Sequence, residues 1–169
     1  NDVYAVGTMS LTGGVPEGKI WKNSIEIPLL PNCVAANSIY IQGTDIYVVG
    51  ESIAHRAILW KNGNAVNLAG DNYSGANSVY VSGNDVYVGG FEVIGGQSPA
   101  RLWKNGAVVP FSNPTVSGKV VSVYNSGNDN YCVGYKTVDS QTVPVLWKNG
   151  VESSVTGLNT SKPKIEAVF

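Results

Sequence analysis

Three acidic residues could supply the carboxylates of a hydrolytic enzyme. Glu51, Glu92 and Asp139 each lie one to five residues after the glycine that ends a repeated Tyr-containing motif. Glycoside hydrolysis uses two carboxyl groups about 5–9.5 Å apart, and acids from different repeats can meet at that distance. Their spacing in the chain does not select such a pair. A carbohydrate-active enzyme with carboxylates around a central axis is therefore an alternative and not our main prediction.

Other catalytic and cofactor patterns are missing from the sequence. His55 is the only histidine, and no Gly-x-Ser-x-Gly motif provides a nucleophile for it. Cys33 and Cys132 lack the spacing of metal ligands, and two cysteines alone do not make a disulfide framework. Cys132 occupies a position that is Val or Ala in the other repeats, which predicts a buried apolar role. We predict no catalytic residues, no metal and no cofactor.

All four tryptophans precede Lys-Asn. LWKNG occurs at 59–63, 102–106 and 146–150, and IWKNS occurs at 20–24. A tryptophan ring can stack on a sugar or a base, or it can fill a gap between packed sheets. We favour the structural role for these rings: Trp21, Trp60, Trp103 and Trp147.

The tryptophans mark an internal repeat of about 40 residues. A Tyr-containing motif recurs with the same period, in the forms NDVYAVG, TDIYVVG, NDVYVGG and NDNYCVG. A second Tyr-containing motif precedes it in three repeats, in the forms NSIYIQG, NSVYVSG and VSVYNSG. Each unit predicts four short strands, A to D, with two-residue turns between A and B and between C and D. Asn-Gly at the C–D turn is the strongest signal for a type I′ hairpin. Four strands per 40-residue unit are typical of a β-propeller blade.

The predicted fold is therefore an all-β, four-bladed β-propeller in a single domain, 1–169. The C-terminal segment IEAVF has the pattern of a strand A, which the first repeat lacks, so we expect it to complete blade one and close the ring. A fragment of a larger propeller is the alternative. The predicted blades are 1–31 plus 165–169, 36–69, 76–112 and 120–155.

Strand pairing predicts the neighbours of the repeated residues. Folding A onto B places Tyr40 opposite Tyr47, and folding B onto C is expected to place Ile46 opposite Trp60 and Asp45 opposite Lys61. The tryptophan then lies on the blade face opposite the tyrosines, and each repeat carries an Asp–Lys pair. In blade four Asn125 and Asn130 replace apolar residues at positions expected to face each other. This predicts a hydrogen-bonded pair, or a small binding feature beside Trp147.

The sequence resembles a group of exported bacterial β-propellers whose blades repeat a GNDVYVxG…LWKNG pattern. GNDVYVGG (83–90) followed by LWKNG (102–106) is the clearest copy, and the resemblance extends over essentially the whole chain. It implies the propeller fold. Because the function of that group is largely unknown, it implies no catalytic residues. WD-repeat propellers also end strand C with Trp, but here Lys follows it where they have Asp, and their Gly-His pair is absent.

Ligand binding is expected at the end of the blades where the repeats differ. The B–C connections (8–17, 51–55, 91–98, 135–142) and D–A connections (30–35, 70–76, 112–119, 156–163) meet there, and loops on a rigid scaffold commonly bind ligands. The candidate binding residues at this end are Glu51, His55, Arg56, Asp71, Tyr73, Phe91, Glu92, Tyr135, Lys136 and Asp139. Neutral drift of exposed loops would produce the same diversity.

Composition restricts the partners. The net charge is -1 and charged residues make up only 14% of the chain, so there is no electrostatic case for nucleic acid or an anionic membrane. No apolar run reaches the roughly 18 residues that span a bilayer. Low charge and polar loops favour an exported protein. We expect a non-catalytic binding propeller for a protein or carbohydrate, with a structural or assembly module of a larger exported protein as the alternative. The oligomeric state is not predicted.

Overall fold

The computed structural model describes residues 2–10, 13–28, 30–111, 115–154 and 167–168, and these residues form strands and connections without a helix. No helix in this part of the chain is therefore available to cross a membrane. The strands are β1 (Tyr4–Met9), β2 (Glu17–Lys22), β3 (Ile25–Glu26), β4 (Cys33–Gln42), β5 (Asp45–Ser52), β6 (Ala57–Lys61), β7 (Asn64–Asn67), β8 (Ser74–Ser82), β9 (Asp85–Glu92), β10 (Ala100–Lys104), β11 (Ala107–Val109), β12 (Gly118–Ser126), β13 (Asp129–Val138), β14 (Gln141–Lys148) and β15 (Val151–Ser154).

The strands form four antiparallel sheets in chain order. Sheet I contains β1–β3, sheet II β4–β7, sheet III β8–β11 and sheet IV β12–β15. Within sheets II to IV the strands follow one another as A, B, C and D, as the repeat predicts. The all-β class is thus confirmed, and four sheets in series are consistent with a four-bladed propeller. The strand A expected for sheet I at 165–169 lies almost wholly outside the described residues.

The tight turns have the backbone conformation that their sequences favour. Asn62 and Gly63 both have positive φ (51° and 83°), as a type I′ turn requires, and the other two Asn-Gly turns match them. At the A–B turn Gly43 has a φ of 60°, whereas the following residue does not have positive φ. Positive φ at the first turn residue alone is the type II′ pattern. These two turns fix the register at one end of each sheet.

The predicted A–B register is confirmed, but the B–C register is wrong by two residues. Tyr40 faces Tyr47 as expected. Trp60, however, faces Val48 and not Ile46, and Lys61 faces Tyr47 and not Asp45. Because side chains alternate with a period of two, a shift of two leaves every residue on its predicted face. The tryptophan and the tyrosine therefore still lie on opposite faces of the sheet.

The strands extend further toward the variable end than the sequence indicated. Strand A begins at Cys33, Ser74 and Gly118 in sheets II to IV, inside the segments predicted as D–A connections. The predicted connection 135–142 is mostly strand, because β13 and β14 run on to a two-residue turn at Asp139 and Ser140. These two residues have φ of 48° and 62°, again a type I′ turn. The connection 156–163 lies outside the described residues.

The first strands of neighbouring sheets lie side by side and are linked by serine hydroxyls. The Val79 amide donates to Ser38 Oγ (3.3 Å), and the Val123 amide donates to Ser78 Oγ (3.1 Å). The tyrosines of the same strands also pack across the sheets. The ring centroids of Tyr40 and Tyr80 are 5.2 Å apart, and those of Tyr80 and Tyr124 are 5.0 Å apart. The aromatic contacts thus join the sheets to one another.

The tryptophans of sheets II to IV are buried where one sheet packs on the preceding one. Trp60 is 1% exposed and packs with Ile20 of sheet I, and its indole N–H donates to Pro31 O (3.2 Å). Trp103 is fully buried among side chains of sheets II and III, and Trp147 among those of sheets III and IV. In sheet I, Trp21 is half-buried. The rings of these three sheets therefore fill the gaps between sheets.

The tight-turn end of each sheet carries one repeated arrangement of Asp, Tyr, Lys and Asn, which we call the turn cluster. In sheet II, Lys61 Nζ lies 5.1 Å from the centroid of the Tyr47 ring and 2.9 Å from the Asp45 carboxylate. The hydrogen bonds from Asn62 and Lys61 hold the pKa of Asp45 below its ordinary value of 3.8. The equivalent clusters are Asp2, Tyr4, Lys22, Asn23; Asp85, Tyr87, Lys104, Asn105; and Asp129, Tyr131, Lys148, Asn149.

Both cysteines are buried free thiols. Burial raises the pKa of Cys132 to about 12 and that of Cys33 to about 11. Cys132 packs in the apolar cluster around Trp147, as its position in the repeat indicated.

Candidate functional site

The variable end contains a cleft between sheets III and IV with a volume of about 600 Å³. Two aromatic side chains, Phe91 and Tyr135, line it together with hydroxyl groups and one charged residue. The described residues that line it are Phe91, Ser98, Ser117, Gly118, Lys119, Tyr135, Thr137 and Thr142. Two of the predicted binding residues are therefore brought together in one cavity.

The wall formed by sheet IV depends on a close approach of β12 and β13. Lys119 and Tyr135 are directly opposite each other in this pair, so their side chains share one face. A methyl group on Gly134 would overlap the carbonyl oxygen of Lys119, and one on Gly118 would overlap that of Tyr135. Glycine is therefore required at both positions for the strands to present Lys119 beside Tyr135.

The Ser117 hydroxyl belongs to a hydrogen-bond network that joins sheet III to sheet IV. Ser117 Oγ accepts a hydrogen bond from the Ser98 amide (3.1 Å) and donates one to Gln97 Oε1 (2.9 Å). The Gly118 amide donates to Ser98 O at 2.7 Å. These bonds hold the connection after β9 against the start of β12, which fixes the distance between the two walls of the cleft.

A row of rings extends from the cleft across the variable end. The Phe91 ring centroid is 5.9 Å from that of Tyr73, which in turn is 5.7 Å from the His55 ring. Tyr73 is 52% exposed, so its ring is open to solvent. The His55 Nδ1 lies 2.5 Å from Glu51 Oε1, which positions the imidazole at the end of the row. The predicted binding residues Glu51, His55, Tyr73 and Phe91 thus form one continuous surface.

Other predicted binding residues have their polar groups engaged within the protein. Glu92 is 7% exposed and accepts hydrogen bonds from Arg101 Nε (2.8 Å) and Asn72 Nδ2 (2.7 Å). Arg56 donates to Gly70 O (3.1 Å) and lies 3.3 Å from the Asp71 carboxylate. These groups anchor the loops beneath the aromatic row, so we assign them a supporting role.

The remaining two predicted residues lie on β13 and its turn. Lys136 forms a salt bridge with Glu152, and both side chains are 22% exposed. Asp139 occupies the turn between β13 and β14 and is exposed. Neither residue lines the cleft, because Lys136 points to the opposite face from Tyr135 and Asp139 lies beyond the end of β13.

Asn125 and Asn130 face each other across β12 and β13 as predicted, but they do not form the expected side-chain pair. Asn125 Nδ2 donates to the carbonyl oxygen of Asp129 at 3.0 Å. The buried Oδ1 of Asn130 has no hydrogen-bond partner among the described residues.

A second cavity of about 630 Å³ lies between sheets I and II and has a largely apolar lining that includes Ile20, Ile27, Leu30 and Ile53. Position 29, which adjoins two lining residues, is outside the described part of the chain.

Six of the described lining residues of the cleft were missed by sequence reasoning: Ser98, Ser117, Gly118, Lys119, Thr137 and Thr142. A signal existed for one of them, because alternation along a longer β13 would place Thr137 on the same face as Tyr135. Lys119 could not be found in this way. A β-bulge between Val120 and Ser122 shifts the pairing by one residue, and the unshifted Tyr124–Tyr131 register would have put Val120 opposite Tyr135.

Comparison with known protein families, curated proteins and solved structures found no match to this chain. Among the described residues, no three His, Cys, Asp or Glu side chains are grouped as metal ligands. The described residues of the cleft offer a ligand aromatic rings, hydroxyl groups and one ammonium group.

Proposed function

We propose that this chain is a four-bladed β-propeller that binds carbohydrate, without catalysis, in the cleft between sheets III and IV. The observation that carries this proposal is the presence of Phe91 and Tyr135 in one open cleft with four hydroxyl-bearing side chains. A sugar ring has an apolar C–H face, which packs on aromatic rings, and a rim of hydroxyl groups, which need hydrogen-bond partners.

The ring closure in this proposal is supported by residues 167–168. The Val168 amide donates to Ser122 Oγ at 3.2 Å. This is the same contact that Val79 and Val123 make with the serine of the preceding sheet. This contact supports the proposal that the C-terminal segment supplies, next to sheet IV, the strand A that sheet I lacks.

Carbohydrate is favoured over a protein ligand by the form of the cleft. Binding sites for small ligands are concave and have volumes of roughly 300–1,000 Å³, with a few polar groups that fix orientation. The cleft has this size and composition. The carboxylates expected for a hydrolase offer less support, since Glu92 is buried against Arg101 and Asn72 and Glu51 is paired with His55.

A glycan array followed by calorimetric titration of the best oligosaccharide tests the proposal. Phe91→Ala and Tyr135→Ala are each expected to weaken binding at least tenfold, while the far-UV circular dichroism stays that of a β protein. Val108→Ala is the matched control, because Val108 is 49% exposed on β11, outside the cleft. The proposal fails if no carbohydrate binds, or if both cleft variants bind as well as the control.

A further inference from the structure

Lys119 differs from every other cation in the described part of the chain. The other described lysines and arginines each form a salt bridge with a carboxylate: Lys19, Lys22, Arg56, Lys61, Arg101, Lys104, Lys136 and Lys148. Lys119 forms none there and is exposed. A protein with a net charge of -1 has enough acids to pair its cations, so the unpaired lysine stands out.

Lys119 lies where its ammonium group can contact a ligand bound in the cleft. It is the only charged residue among the described residues that line the cleft, and it lies directly opposite Tyr135 on the same face of the sheet. Gly118 and Gly134 allow the close strand approach that places it there. A ligand packed on the Tyr135 ring would therefore have an ammonium group beside it and no carboxylate among the described lining residues.

We propose that the cleft selects carbohydrates that carry an anionic group, either a carboxylate or a sulfate, which binds the Lys119 ammonium group while the sugar ring packs on Tyr135 and Phe91. This inference rests on the proposed carbohydrate function. It adds the charge of the ligand and the residue that recognises it. Hydrogen bonds in which both partners are charged are shorter and stronger than those between neutral groups, so a single such contact can decide between otherwise similar sugars.

The test compares oligosaccharides of equal length that are neutral, uronic-acid-containing or sulfated, titrated calorimetrically against the full chain. We expect one of the two anionic classes to bind about tenfold more tightly than the neutral one, a difference of ~1.4 kcal/mol. The better class identifies the anionic group. Lys119→Gln should abolish this preference, so that anionic and neutral sugars bind with similar affinity, whereas Tyr135→Ala should weaken binding of both and keep the preference.

Lys61→Gln is the matched control. It makes the same change in net charge, but Lys61 lies at the tight-turn end of sheet II, away from the cleft. Raising the salt concentration should weaken binding of the anionic sugar only, since screening acts on charge pairs. Equal affinity for neutral and anionic sugars in the parent chain would overturn this inference and leave the proposed function intact. Binding of no sugar at all, or binding of polyglutamate as tightly as of the anionic sugar, would overturn both.

Discussion

The side-chain amide of Asn62 donates a hydrogen bond to the Asp45 carboxylate across 2.8 Å. The same side chain accepts a bond from the Ile46 amide at 2.8 Å, so the C–D turn is tied to the beginning of strand B. Asn62 also has a positive φ of 51°. One residue therefore shapes its own turn and fastens it to the neighbouring strand, and the repeat places an equivalent Asn in each sheet.

Asn62→Ala is expected to lower the free energy of unfolding by at least ~1 kcal/mol, because alanine is disfavoured at positive φ and the two side-chain bonds are lost. Urea denaturation measures this change. Asn62→Gly separates the two causes, since glycine accepts the conformation but cannot form the bonds. A loss in the alanine variant no greater than in the glycine variant would contradict the conformational part of this explanation.

The turn clusters predict a loss of stability in acid. The pKa of Asp2, Asp45, Asp85 and Asp129 is lowered from 3.8 in the folded chain by hydrogen bonds from the neighbouring Lys and Asn. A lowered folded pKa adds stability above the unfolded value and loses it as the pH falls through the folded value. We therefore expect the free energy of unfolding to fall below about pH 4. Urea titrations between pH 7 and 2 measure it, and Asp85→Asn should reduce the slope; an unchanged slope would argue against this origin.

Trp60→Ala is expected to lower the free energy of unfolding by ~3–5 kcal/mol, because it removes a buried aromatic side chain and leaves a cavity between sheets I and II. Trp60→Phe keeps a ring but loses the bond to Pro31, and its cost should be smaller. Chemical denaturation followed by circular dichroism gives both values. Full stability of the alanine variant together with lost carbohydrate binding would show that the ring contacts ligand instead.

Tyr73→Ala is expected to affect long oligosaccharides more than short ones. The Tyr73 ring lies next to Phe91 in the aromatic row, so it would contact only a ligand that extends out of the cleft. We expect roughly threefold to tenfold weaker binding of a tetrasaccharide or longer chain, and little change for a disaccharide. Titrations with a length series measure this. An equal loss of affinity at every length would show that Tyr73 contacts the part of the ligand that lies in the cleft itself.

The fold was largely predictable from the sequence because its signals are local and repeated. Turn residues such as Asn62-Gly63 fixed hairpins, and alternation fixed which face each side chain occupies. The error of two residues between Ile46 and Trp60 has the same origin. Alternation cannot distinguish registers that differ by two, and the true register is set by how far β5 and β6 continue at the other end.

The cleft was less predictable because it depends on contacts between repeats. Phe91 and Tyr135 were found as equivalent positions that differ in chemistry, but their shared cavity follows from the packing of sheet III on sheet IV. Lys119 was missed because a single lysine at the start of a strand carries no pattern. Its significance depends on the salt bridges that the other described lysines and arginines form, and those salt bridges are visible only in the structure.

The serine contacts between first strands all have the same polarity, with the hydroxyl in the earlier sheet and the donating amide in the later one. Ser38 and Ser78 each accept a bond from an amide of the following sheet, and Ser122 accepts one from the Val168 amide. The residue before Val168 is Ala167, where the preceding repeats have serine. An additional copy of the repeat inserted between sheets II and III would carry both halves of this contact. A copy that carried alanine in place of this serine would offer no hydroxyl to the amide of the sheet that follows it.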